Sequence, residues 1–86
     1  MLHTLAVKAI AYTISARKAL RKLDPAARAQ IEERLHRYAS SGTGDVKRLV
    51  GREGARLRVG NFRVIFVETA DLIEVRAVGD RRDVYR

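Results

Sequence analysis

The chain has no cysteine, so disulfide staples and thiolate metal sites are excluded, and nothing points to an oxidising compartment. It has no apolar run approaching the roughly 18 residues of a transmembrane helix. The mildly apolar stretch Met1–Ile10 lacks the basic start and long apolar centre of a secretory signal, so a soluble cytoplasmic protein is expected. Glycine-rich phosphate loops, Walker sequences and Ser/His/Asp sets are missing. Histidine is scarce: His3 lies near the start and His36 between Leu35 and Arg37 on an expected helix, neither in a ligand constellation. No metal and no cofactor are therefore expected. Repeats, linkers and low-complexity segments are absent as well.

Acidic residues are also in deficit: 10 Asp+Glu stand against 18 Lys+Arg, a formal charge of +8. Fourteen of the cations are arginine. A guanidinium fork binds phosphate in a bidentate way and stacks on bases, which lysine cannot do. The excess is local. From Lys47 to Arg63 there are six basic residues (47, 48, 52, 56, 58 and 63) and one acid, Glu53. The 86 residues make one small domain, with residues 1–9 read as an N-terminal extension, and 47% hydrophobic content is ample for a core. At this size about 60% of the unfolded surface is buried, so stability should be modest.

Residues 55–67 read as a β-hairpin turning at Gly60-Asn61, both of which tolerate positive φ. A two-residue turn sets Val59 opposite Phe62, Arg58 opposite Arg63, Leu57 opposite Val64 and Arg56 opposite Ile65. Alternation then places Ala55, Leu57, Val59, Phe62, Val64 and Phe66 on a core face and Arg56, Arg58, Arg63 and Ile65 on the other. Two arginines directly across from each other repel, at a cost of a few tenths of a kcal/mol or more. A chain that keeps such a pair is expected to use it on a polyanion.

The remaining pattern predicts a first strand over Ala9–Ser15 and a helix over Ala16–Leu23. A second helix starts at Asp24-Pro25, an N-cap followed by proline at the first helical position, and runs to about Ala39 with Ala27, Ile31, Leu35 and Tyr38 inward. Val46, Leu49 and Val50 read as an apolar knot docked under a loop. A second two-residue turn at Ala70-Asp71 puts Ile73, Val75 and Ala77 on the core face and Arg76 opposite Ile65. The expected fold is α+β, in the order β-α-α-β-β-β, with a small mainly antiparallel sheet. Two helices cover the apolar face and leave a basic face open.

In that order the residues resemble the RelE/ParE superfamily of toxin–antitoxin toxins, on its RelE-like side. The matching pieces are Tyr12-Thr13-Ile14-Ser15 before Ala19-Leu20-Arg21-Lys22-Leu23, then Val46-Lys47-Arg48-Leu49, then Arg56 through Phe66, then Val78 through Arg86. The resemblance implies a microbial RNase fold and an mRNA interferase working in the ribosomal A site. In that chemistry the RNA's own 2′-OH attacks the adjacent phosphate, with no metal required. It implies catalytic roles for Arg63, Arg81 and Tyr85, with Arg81 also a candidate acid, and backbone-holding roles for Arg56 and Arg58. On the basic face and tail, Arg76, Arg82, Lys47, Arg48 and Arg52 are candidate substrate contacts. The implied partners are mRNA, the ribosome and an acidic RelB-like antitoxin, with no membrane. Two departures leave the general base open among Glu53, Asp83 and Tyr85: Arg56 stands where many relatives have lysine, and Asp80 where many have histidine. A ParE-like gyrase inhibitor and a non-catalytic RNA-binding relative are the alternatives.

Overall fold

The structure, a computed structural model, describes residues 7–80. Strand β1 (Ala9–Tyr12) passes directly into helix α1 (Ile14–Lys22) through one residue, Thr13. Thr13 has extended backbone, and its Oγ1 accepts the Ala16 N–H at 3.1 Å. This cap satisfies one of the donors that a helix start leaves unpaired. It also overrides the strand pattern expected as far as Ser15. Ile14 leaves the sheet for the first helical turn and is 78% exposed. Helix α2 (Pro25–Ser41) starts as expected, with the Asp24 carboxylate accepting the Ala27 N–H at 2.7 Å. It ends at Gly42, whose φ of +75° is the left-handed geometry that closes many helices.

Four strands follow: β2 (Asp45–Arg48), β3 (Ala55–Val59), β4 (Phe62–Glu68) and β5 (Leu72–Asp80). The sheet order is β1-β5-β4-β3-β2, with β1 parallel to β5 and the other pairings antiparallel. The α+β class and the two covering helices are as the sequence predicts, but the sheet has one more strand. The Val46–Val50 knot does not form under a loop. Val46 pairs with Leu57 inside β2 and packs on the core, whereas Val50 is 98% exposed. A four-residue strand with charge at three positions reads as a loop in sequence. Short charged strands are how sheets protect an edge, and β2 is one.

The β3–β4 register is the expected one at every position from Val59↔Phe62 to Ala55↔Phe66. Only Gly60 uses positive φ, +59°, as in a type II′ turn with glycine first. The second turn also has two residues: the Thr69 N–H donates to Leu72 O at 2.8 Å and Glu68 pairs with Ile73. Beyond it the expectation fails by one residue. Phe66 pairs with Val75 but Ile65 pairs with Ala77, so Arg76 is the extra residue of a β-bulge. Ala77 takes the place opposite Ile65 expected for Arg76, and Val78 takes the core position expected for Ala77. Because residues 77 and 78 are both apolar, the pattern gives no sign of the slip.

Ala16 and Leu20 from α1 and Ile31, Leu35 and Ala39 from α2 are buried against Leu57, Val59, Val64, Phe66, Ile73, Val75 and Val78 of the sheet. Tyr38 lies against Phe66 with ring centroids 5.4 Å apart. Of the stretch read as an extension, Ala9 opens β1 and Lys8 holds the edge of the fold. The Lys8 amide donates to Ala39 O at 3.2 Å, and its ammonium donates to the Glu68 carboxylate and to Thr69 O. The Tyr38 hydroxyl donates to the other Glu68 oxygen at 2.7 Å.

Candidate nucleic-acid interface

Side chains opposite the helices form rows across the strands. One row is Asp45 (β2), Arg58 (β3), Arg63 (β4) and Gly79 (β5); the next is Lys47, Arg56, Ile65 and Ala77. Both rows contain a pair of cations directly across from each other, Arg58 with Arg63 and Lys47 with Arg56. The second pair escapes a reading of the sequence that treats β2 as loop. The glycines at 51 and 54 were the available signal that residues 49–54 turn back between two strands.

Arg63 is on this face but is not an exposed residue of an open surface. It is 92% buried, since 8% of it is accessible. One guanidinium nitrogen donates to Phe62 O at 3.3 Å, and Nε has no hydrogen-bond partner among the described residues. A buried donor left unpaired costs about 1–3 kcal/mol, so this Nε–H is a donor that the described residues do not use. β5 sets Gly79 across from Arg63, so on that side no side chain stands directly opposite it. Arg58 is exposed, Arg56 half-buried, and Lys47, Arg48 and Arg52 are exposed.

Arg76 is placed differently. The bulge directs it to two carboxylates: Nε donates to Glu74 at 2.8 Å, and a terminal nitrogen lies 3.4 Å from Glu53. The Glu74 hydrogen bond is the main reason its charge is held still more firmly than that of an ordinary arginine. Arg76 thus has its charge matched locally by two carboxylates. Glu53, a candidate base, is engaged in this cluster rather than in the Arg58–Arg63 row. Arg81, Arg82, Asp83 and Tyr85 lie outside the described residues. His36 is exposed on α2, and among the described residues no three His, Cys, Asp or Glu side chains gather as metal ligands would. No described helix is long and apolar enough to cross a membrane.

Such an arrangement can hold a phosphodiester on paired guanidinium groups and stabilise charge that develops on its oxygens. The fold defines a class: a mixed five-stranded sheet backed by two helices, with cations in rows on the other side. It is the RelE-type toxin fold. The chain is similar to the toxin–antitoxin complex RelBE2 of Mycobacterium tuberculosis (20% identity, TM-score 0.74, covering 93% of this chain and 98% of that one). It is also similar to the RelB–RelE complex of Methanococcus jannaschii (24%, 0.71, 87% and 94%) and to the RelBE complex of E. coli (21%, 0.69, 85% and 95%). No protein-family model and no curated protein sequence matches the chain.

Proposed function

We propose that this chain is the toxin of a type II toxin–antitoxin pair, and that it cleaves mRNA in the ribosomal A site of the cytoplasm without a metal ion. The observation that carries the reading is Arg63, a buried guanidinium directly across from Arg58, whose Nε has no hydrogen-bond partner among the described residues. In the reaction the 2′-oxygen of RNA bonds to the adjacent phosphorus, and the bond from phosphorus to the 5′-oxygen breaks. The products are a cyclic phosphate and a free 5′-OH. Arg63 and Arg58 stabilise the charge that builds on the non-bridging oxygens. Arg81 protonates or stabilises the leaving oxygen, Tyr85 orients the substrate, and Arg56, Arg82, Lys47, Arg48 and Arg52 hold the backbone. With Glu53 occupied by Arg76, Asp83 and Tyr85 remain as bases for the 2′-OH proton. An acidic RelB-like antitoxin covers the cationic face until it is removed, in keeping with the net charge of +8.

Induction in growing cells tests this. Protein synthesis should stop before DNA synthesis, and primer extension should show breaks inside coding regions with 5′-OH ends downstream. With ribosomes and mRNA in vitro, EDTA-treated protein should still cut. Arrest of replication with mRNA intact would instead assign the chain to gyrase inhibition.

A further inference from the structure

At the outer end of the cationic face, β2, β3 and their connecting loop enclose a hollow of about 380 Å³ lined by Lys47, Arg48, Leu49, Val50, Arg52 and Arg56. We propose that this hollow is a second nucleotide subsite. It takes a further nucleotide of the single-stranded RNA whose reacting phosphate lies at Arg63, with the phosphate on the cations and the sugar or base against Leu49 and Val50. The inference rests on the RNA reading above.

The charge is the first support. Lys47 stands directly across from Arg56, and with Arg48 and Arg52 they gather four cations around one hollow, which suits an anionic ligand. The one acid of the loop, Glu53, is turned to Arg76 and does not line the hollow. The mixture of surfaces is the second. Val50 is 98% exposed and Leu49 half-buried beside four cations, which suits a ligand that joins an anionic group to a flat apolar one. The third is that the loop is built in one shape. The Leu49 N–H donates to Gly54 O at 3.0 Å. Gly54 has φ +112°, and a Cβ there would come within 2.8 Å of the Phe66 carbonyl oxygen. Finally, Arg56 lines the hollow and is two residues from Arg58 on β3, a step of about 7 Å along a strand. A strand of RNA leaving the Arg58–Arg63 pair therefore meets the hollow next. That continuity favours RNA over an acidic protein segment as the occupant.

The test is fluorescence anisotropy of the full chain with uncleavable 2′-O-methyl oligoribonucleotides of increasing length, at several salt concentrations. Wild-type affinity should rise in a step once the strand is long enough to span from Arg63 to the hollow. The Arg48→Ala/Arg52→Ala variant should lose that step, about fivefold for each phosphate contact at 0.1 M salt. Its log–log salt slope should be shallower by about 0.7 per contact. Arg48→Lys/Arg52→Lys should keep most of the step, Val50→Ser should shrink it without changing the salt slope, and Arg63→Ala should weaken every length alike. The same length profile in wild type and the double alanine variant would overturn the subsite and leave the RNA reading standing. Failure of the wild type to bind RNA of any length would overturn both. If the double variant kept the RNA profile but lost its antitoxin, the hollow would belong to an acidic protein and the proposal would fall.

Discussion

The Thr13 hydroxyl donates to the carbonyl of Arg76 at 3.3 Å, at the point where β5 bulges. The same oxygen accepts the Ala16 amide, and the Thr13 amide donates to Val75 O at 2.9 Å. One residue thus ends β1, begins α1 and holds the carbonyl of the bulged residue. Thr13→Val keeps the shape and loses both hydroxyl bonds. It should destabilise the fold by about 1–2 kcal/mol, the range of lost helix caps, whereas Thr13→Ser should be close to wild type. Urea unfolding followed by circular dichroism measures this.

Arg63 separates stability from activity. Arg63→Met replaces a buried guanidinium, whose Nε has no partner among the described residues, with an apolar chain of similar length. Such replacements are often neutral or stabilising. The urea midpoint should hold or rise while growth arrest on induction is lost, because removing one preorganised charge from a transition state costs about 3–4 kcal/mol. Arg63→Ala and Arg81→Ala should likewise abolish arrest. A toxic, well-folded Arg63→Met protein would remove Arg63 from the chemistry.

Glu53 restrains Arg76. With Glu53→Gln, Arg76 keeps Glu74 but loses its second carboxylate, and the cationic face loses a repulsive charge. RNA affinity should increase a few-fold at low salt and the gain should fade as salt rises, since both partners are exposed and screened. Arg76→Ala should weaken binding less than Arg58→Ala does. Filter binding across a salt series compares the three.

The Lys8–Glu68–Tyr38 cluster gives the stability curve its shape with pH. Burial pushes the Glu68 carboxyl up, but hydrogen bonds from Lys8 and Tyr38 and the Lys8 charge outweigh it and hold the group below its ordinary 4.5. The cluster's stabilisation is therefore complete above that value and lost as pH falls through the lowered one. Burial, followed by the Glu68 hydrogen bond, pushes the Tyr38 hydroxyl up to about 12. Its contribution holds below 10 and fades as pH rises towards 12. Glu68→Gln should flatten the acid limb of a urea-midpoint profile and leave the neutral region with a small uniform loss.

The hairpin was legible because two local signals agreed: a glycine able to take positive φ at the turn, and strict alternation on either side. The helix stripe and the Asp24-Pro25 start were legible for the same reason. What escaped depends on partners far along the chain. Val46 is a strand residue only because Leu57 lies across from it, and the bulge at Arg76 arises where β5 meets both β4 and Thr13. The candidate site followed suit. Arg58 and Arg63 come from the hairpin and were placed opposite each other correctly, whereas the burial of Arg63 and the engagement of Arg76 with Glu53 required the folded loop and the slipped register.

The parallel pairing of β1 with β5 has a consequence for how the protein is made. The strand that leaves the ribosome early must wait for residues 72–75 before it has a neighbour, and Lys8 waits 60 residues for Glu68. Closing so long a loop comes late in folding, when the intervening hairpins already hold their shape. A nascent chain stopped short of β5 lacks Gly79, the Arg76 bulge and the anchor for Thr13, so the two ends of the sheet cannot join. Joining the two ends of the sheet therefore waits for β5, while the β2–β4 rows that carry Lys47, Arg56, Arg58 and Arg63 can pair before it is made.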